Sequence, residues 1–530
     1  MIDLLITGAK VVDGTGGPWY RGNVAIREGR IVHVGPGDDH RADRIIEADG
    51  WVVAPGFIDV HSHSDLMLLQ EPTSPAKIMQ GVTTEVLGQD GIAPAPMRPE
   101  HEPQYRRLLS GLLGDPEVKW SWRGLDDYLD NLEQRDLALN VCSYIPYGNL
   151  RMIAMNGSHD REPTPAEMDT IISLLSESFR AGGFALSTGL VYPPCCYSSN
   201  AEMTRVARAV AEAGGFLVVH QRSEGAEVLE SFGELVGIAR ETRVPLHISH
   251  LKVAGRGHWH KCSRLLARID DARAEGIDVT FDQYPYTAGS TMLSAILPPW
   301  AHDGGSEALL CRLRDGTQRA RIKEYMENVE IGWDNMAKNA GWAGVVISSM
   351  GSCKNRHLVG KNLDEVGRRL GKHPADAAMD LLLEEDNAVG MITFLMRERD
   401  VAEIMKHPAH MVCTDGLLGG RPHPRVHGSF PRVLARYVRR ERVLGLEDAV
   451  RRMTGFPAQR LGLHRRGLLK PGFWADVVVF DPEEIEDTAT YDNPRQFPEG
   501  IEYVIVNGHL VVDKGQYTGA AGGQVLRFPG

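Results

Sequence analysis

From residue 2 to 54 the chain alternates short β-branched runs with glycine-rich turns: Leu4-Leu-Ile-Thr, Lys10-Val-Val-Asp, Asn23-Val-Ala-Ile-Arg, Arg30-Ile-Val-His-Val and Trp51-Val-Val. Runs this short, with turns this close, predict an all-β segment. The pattern returns near the C-terminus in Ala475-Asp-Val-Val-Val-Phe, Ile501-Glu-Tyr-Val-Ile-Val-Asn-Gly and His509-Leu-Val-Val-Asp. Neither end alone is long enough to bury a core. Together, 1–55 and 467–530 predict one small β-sandwich that brings the two ends of the chain side by side.

Between them the period changes. Eight apolar runs, at 57–63, 82–88, 137–145, 184–190, 216–222, 244–251, 278–286 and 410–416, read as strands. Most are nearly continuous, as expected of parallel strands buried on both faces. Helical stretches such as Pro165–Ala181, Ser199–Ala213, Ala226–Arg240 and Ser263–Ala274 fall between them. Eight strand–helix repeats predict an α/β fold, a (β/α)8 TIM barrel over 56–466. The spacing breaks once, between the seventh and eighth strands. An insertion at about 287–345 is expected there, and it would leave the barrel at the rim where it can cover a site.

A chain of 530 residues exceeds one ordinary core, in keeping with a large and a small domain. A net charge of −12 argues against a nucleic-acid-binding surface, which needs clustered Lys and Arg. No run of 18 apolar residues suggests a membrane span, and the N-terminus lacks the basic segment of a signal peptide. The seven cysteines are scattered and odd in number, giving no disulfide framework or zinc ribbon. A cytoplasmic protein is expected. The oligomeric state is not legible.

In a (β/α)8 barrel, chemistry sits at the C-terminal ends of the strands. The first candidate strand ends in His61-Ser-His63, and alternate side chains of a strand share a face. The second ends in Asp90, the fifth in His220, the sixth in His250 and the eighth in Asp415. Any one of these is more often a hydrogen-bonded core residue than a ligand. Four histidines and two aspartates on one rim are the donor set of a zinc-type site.

At these residues the chain resembles the amidohydrolase superfamily: Pro55-Gly-Phe-Ile-Asp-Val-His-Ser-His63, His220, His250 and Thr414-Asp415-Gly. Gly81-Val-Thr-Thr84, Leu186-Ser-Thr-Gly-Leu-Val-Tyr-Pro-Pro194, His250-Leu-Lys252, Asp282-Gln-Tyr-Pro-Tyr-Thr-Ala-Gly-Ser290 and Arg421-Pro-His-Pro-Arg425 narrow the resemblance to the N-acyl-D-amino-acid deacylases (D-aminoacylases). The resemblance implies a metal-dependent barrel, and a zinc tightly bound by His220 and His250. His61, His63 and Asp415 border a second, weaker position. The family shares a Cys between the two, and here Asp90 stands in its place. A carboxylate is a harder ligand, so one or two ions, and manganese beside zinc, stay open.

The resemblance further implies that Asp415 acts as general base and then acid, with His61 or His63 aiding the oxyanion. The free carboxylate of the substrate would be held by Arg425, Lys252, Tyr284 and Ser290, with Tyr192 near its side chain. Cys195 and Cys196 read as cavity wall, and His247 and His258 as neighbours of the site or surface residues. The implied reaction is hydrolysis of the amide of an N-acyl-D-amino acid, a small-molecule substrate, with no nucleic-acid or membrane partner. The alternatives are hydrolysis of a cyclic amide, imide or lactone, and a scaffold that has lost catalysis.

Overall fold

Nine buried strands run parallel through the middle of the chain in this computed structural model, which describes residues 2–37, 41–157 and 160–528. Phe57–Asp59, Val82–Leu87 and Asn140–Ser143 form one set. Ile145–Pro146, Leu186–Gly189, Leu217–His220, Leu246–Ile248, Val279–Gln283 and His410–Val412 form another. Only Tyr144 separates Asn140–Ser143 from Ile145–Pro146, so the two read as one interrupted strand. At the other edge Ser62 bridges Gly416 in parallel, with Asp415 N–H donating to the His61 carbonyl at 2.8 Å. The first of the eight expected strands is thus hydrogen-bonded to the last. All eight expected runs contain an observed strand.

These strands are buried along their whole length because both of their faces are covered. Helices Pro165–Arg180, Asn200–Glu212, Val228–Thr242 and Cys262–Ala274 follow the strands as the sequence predicts. Pro165–Arg180 shows why it starts where it does. Thr164 Oγ1 accepts from Glu167 N–H, the Glu167 carboxylate accepts from Thr164 N–H, and Pro165 fills the first helical position.

Strands from both termini share one nine-stranded sheet. The joint is the antiparallel pairing of Val52–Pro55 with Val477–Phe480. Ile6, Val24, Ile31, Val53, Val477, Val479 and Ile505 build its core. Beyond the sheet the tail runs back to the parallel strands, where Val141 N–H donates to Gln524 O and Leu526 N–H to Val141 O.

The inserted segment is larger than its hydropathy suggests. Ala288–Met292, Val345–Met350 and Val389–Phe394 form a separate antiparallel sheet. Helices between them pack Leu309, Leu313, Ile322 and Leu382 against Ile347 and Met391 in a core of their own. The stretch after 345 has ordinary strand and helix periodicity, so nothing in its pattern marks it as still inserted. No helix among the described residues is long and apolar enough to cross a membrane.

Candidate active site

His61, His63, Asp90, His220, His250 and Asp415 lie together at the C-terminal ends of the parallel strands, all buried. Asp90, His250 and Asp415 hold positive φ angles of 54°, 34° and 47°. Such backbone is sparsely populated outside glycine and persists where surrounding contacts impose it. At Asp415 those contacts are backbone and side-chain hydrogen bonds: Thr414 N–H and Oγ1 both donate to Asp59, and Asp415 N–H donates to His61 O.

Asp90 is the hub. Its Oδ1 lies 3.8 Å from His61 Nε2, 3.7 Å from His250 Nε2 and 4.0 Å from His220 Nδ1, and its Oδ2 lies 3.6 Å from His63 Nε2. Asp415 Oδ1 lies 3.2 Å from His63 Nε2 and 3.7 Å from His61 Nε2. Most of these spans are too long for hydrogen bonds. They match the separation of about 3.4 Å expected for two ligand atoms on one tetrahedral zinc. Asp90 Oδ1, His61 Nε2 and both nitrogens of His220 are buried without a hydrogen-bond partner. Buried polar atoms are normally satisfied, so these orphaned donors and acceptors fit a divalent cation between them. His61, Asp90 and His250 form one grouping, and His61, His63 and Asp415 another.

The electrostatics are those of a pocket rich in buried carboxylates. Burial opposes charge on His61, but the Asp415, Asp90 and Asp282 carboxylates outweigh it and raise its pKa well above the usual imidazole value. Burial likewise opposes ionisation of Asp90 and Asp415. His61 dominates the forces that hold Asp90 far below the ordinary carboxylate range, and Arg425 those that hold Asp415 there. Burial pushes His220 down to about 4, which leaves a neutral imidazole, the form that binds metal.

Two acids not named as site residues from the sequence complete the site. Glu224 Oε1 accepts from Lys252 Nζ at 2.6 Å and lies 3.1 Å from His250 Nδ1, while Oε2 is 3.9 Å from His220 Nε2. It follows His220 by four residues in the polar loop Gln221-Arg-Ser-Glu224, a signal that reading strand ends alone passes over. Asp282 Oδ2 is 2.8 Å from His247 Nε2 and 3.6 Å from His61 Nδ1, and Oδ1 accepts from His250 N–H at 2.7 Å. It therefore fixes His247 and the His250 backbone and places a carboxylate behind His61, where outer carboxylates commonly sit behind ligand histidines. His247 is fully buried in this layer, and His258 is half-buried in a loop.

A small cavity opens onto this cluster, lined by Lys252, Tyr192, Tyr284 and Ser290. Thr291, Met336 and Thr393 of the inserted segment, and Leu395 just after it, also line it. Tyr192 Oη is 2.9 Å from Thr291 Oγ1, and its ring packs on His220. Ser290 Oγ donates to Met391 O. Arg425 lies behind the cavity wall. Its guanidinium covers the Tyr284 ring at 4.4 Å, Nη1 sits 2.8 Å from Asp415 Oδ2, and Nη2 donates to Ser290 O. Cys195 is buried against Gly91, and all seven cysteines are free thiols.

With this geometry in place, the sequence matches the amidohydrolase family over residues 44–512. The chain belongs to the amidohydrolase family. Within it the chain falls among the N-acyl-D-amino-acid deacylases. It is 36% identical to N-acyl-D-glutamate deacylase of Alcaligenes xylosoxydans xylosoxydans over 513 residues, 96% of this chain and 93% of that one. It is 35% identical to D-aminoacylase of the same organism over 525 residues, 99% and 97% of the two chains. The fold matches N-acyl-D-glutamate deacylase of Bordetella bronchiseptica, solved with zinc and a phosphonate mimic of the tetrahedral intermediate. That match has a TM-score of 0.84 at 34% identity and covers 99% of both chains. The amidohydrolase fold of this chain is thus a mixed α/β architecture carrying a metal-type site.

Proposed function

We propose that this protein hydrolyses the amide bond of N-acyl-D-amino acids, releasing a carboxylic acid and a D-amino acid. The observation that carries the reading is the set of buried, unpartnered ligand atoms on His61, Asp90 and His220 beside the ionised Asp415. The similarity to D-aminoacylase and N-acyl-D-glutamate deacylase supports the substrate class and its configuration.

His220, His250 and Asp90 would hold the tighter ion, and His61, His63 and Asp415 would border a second. The site suits zinc, and Asp90 in place of a thiolate also suits manganese. A divalent ion held there supplies Lewis acidity toward the scissile carbonyl and makes water acidic enough to attack near neutral pH. Asp415, an acceptor when ionised, takes a proton from the attacking water as the carbon–oxygen bond forms. It delivers that proton to the leaving nitrogen as the carbon–nitrogen bond breaks. Lys252, Tyr284 and Ser290 line the cavity where the substrate's carboxylate would sit. Arg425, from behind, orients both Asp415 and Tyr284 and reinforces the local positive potential.

The parallel strands and the first-to-last hydrogen bonds support a closed (β/α)8 barrel over 56–466. The shared sheet of 2–55 and 467–528, with its own apolar core, supports a β-sandwich. We draw the insertion at 288–394, a cover over the site. The free thiols suit a reducing cytoplasm.

The test is amine release from paired N-acetyl-D- and N-acetyl-L-amino acids. Release from the D series alone supports the reading. Release from neither, with ring opening of hydantoins or lactones by the same metal-loaded protein, would replace it with a cyclic substrate.

A further inference from the structure

The two histidines proposed for the tighter ion stand between two acids. His220 Nδ1 and His250 Nε2 face Asp90 Oδ1, at 4.0 and 3.7 Å. Their other nitrogens face Glu224: His250 Nδ1 lies 3.1 Å from Oε1, and His220 Nε2 lies 3.9 Å from Oε2. The rings are thus turned in opposite senses, one offering Asp90 its Nδ1 and the other its Nε2. A neutral imidazole carries its proton on one nitrogen and binds metal through the other. To serve one ion beside Asp90, His220 must be protonated on Nε2 and His250 on Nδ1. These are opposite tautomers, and both protonated nitrogens face Glu224.

Lys252 sharpens the choice. Its ammonium lies 2.6 Å from Glu224 Oε1 and 2.7 Å from His250 Nδ1. His220, Glu224 and His250 have the spacing of a ligand group, but a fixed cation on that face repels a divalent ion, so the Asp90 face is the one that suits it. Lys252 also competes for His250. An ammonium donating to Nδ1 leaves the imidazole proton on Nε2, where it closes that nitrogen to a metal. Glu224, ionised beside Lys252, has acceptors only. Its Oε1 takes the ammonium and the Nδ1–H together, which keeps the metal-binding tautomer. At His220 the 3.9 Å span exceeds hydrogen-bond length, so there the carboxylate acts by its charge, drawing the proton to the near nitrogen.

The loop after His220 holds Glu224 in place. The side chain is 3% exposed, and the Glu224 carbonyl accepts from Ala254 N–H at 2.7 Å. Ser223 Oγ accepts from Gly225 N–H and Glu227 N–H, and Ser223 N–H donates to Ser231 Oγ. We infer that Glu224 is a positioning residue that sets opposite tautomers on His220 and His250 and so readies both for one metal ion. This rests on the metal-site reading proposed above and deepens it.

The experiment reads zinc affinity apart from turnover. Zinc-loaded wild type, Glu224→Gln and Lys252→Met are dialysed against graded chelator and their zinc is counted. The melting temperature of each chelated protein is measured beside it. Gln keeps the shape but offers one acceptor and one donor in place of two acceptors. The more tightly held zinc should therefore bind about 10- to 100-fold more weakly in Glu224→Gln. Lys252→Met removes the competing ammonium and leaves the carboxylate, so zinc should bind as tightly as in the wild type or more so. Both substitutions break the same buried pair and should lower the melting temperature, so a loss of zinc confined to Glu224→Gln is not a general loosening of the site. Should Glu224→Gln fail to fold, Glu224→Gln with Lys252→Met leaves no unpaired charge in the pair and should show the same weakening. Zinc held as tightly without the Glu224 carboxylate, or lost equally in Lys252→Met, would overturn the inference while leaving the metal site standing. Wild type that retains no zinc would overturn the metal-site reading and this inference with it.

Discussion

Asp415 is the residue on which the chemistry turns. Its carboxylate is ionised because Arg425 and the histidines outweigh the cost of burial. Asp415→Asn keeps the shape and removes the acceptor, so kcat should fall by about 10²- to 10⁴-fold with the tighter zinc still bound. Steady-state kinetics beside metal analysis check this, and retained turnover would end the assigned role. The six candidate ligands were legible because each is a His or Asp at the end of an apolar run, where a strand leaves the core. Glu224 and Asp282 were not read as site residues. Glu224 lies in a loop, past the strand end, and Asp282 sits inside the run 278–286, where a buried acid looks like an interruption of the pattern. What gives these acids their place is pairing with Lys252 and with His247, from other strand ends. Spacing along one chain does not show such pairs.

At the scale of elements, a buried ionic cluster beneath the ligands ties three segments together. Lys77 Nζ, fully buried, donates to Asp59, to Ser62 Oγ at 2.9 Å and to Thr414 Oγ1 at 2.6 Å, and Glu85 accepts from Ser62 and Ser64. It fixes the end of Phe57–Asp59, which carries His61, against the turn that carries Asp415. Lys77→Met leaves Asp59 and Glu85 uncompensated and should cost about 3–5 kcal/mol, read from the urea midpoint. A second prediction concerns the inserted segment. Burial is the largest influence on Asp334, followed by the Glu224 carboxylate, and together they raise its pKa to about 7. In the unfolded chain the same group ionises near pH 3.9. The folded state therefore holds this proton more tightly, and the contribution of the group to stability falls between about pH 4 and 7 and is flat above. Asp334→Asn should gain on the wild type more at pH 8 than at pH 5 in thermal unfolding. Equal gains at both would mean an ordinary carboxyl. The strands themselves were legible because their continuous apolar runs leave little choice. The far limit of the insertion was not, since its later strands look like any others until their sheet partners are known.

At the scale of the whole molecule, the two ends of the chain meet and then return to the parallel strands. The tail after Gly522 donates to Leu137, Val141 and Gly182 and accepts from Val141, all through the backbone. Arg527 adds an ion pair with Asp130. Truncation after Gly522 should lower the melting temperature by several degrees and leave kcat within about twofold, because none of these contacts reaches the site. Calorimetry and kinetics on the same sample separate the two effects, and an unchanged melting temperature would make the tail passive. Fold, sheet and inserted cover all converge on one buried rim of imidazoles and carboxylates, and the central claim is that this rim hydrolyses an amide through a bound metal. The measurement that meets it most directly is amine release from N-acetyl-D-methionine after chelation, followed by stepwise return of zinc. Activity should vanish with the metal and return as zinc is added back, in the wild type and not in Asp415→Asn. Release that survives complete removal of metal, or that returns equally in Asp415→Asn, would contradict it.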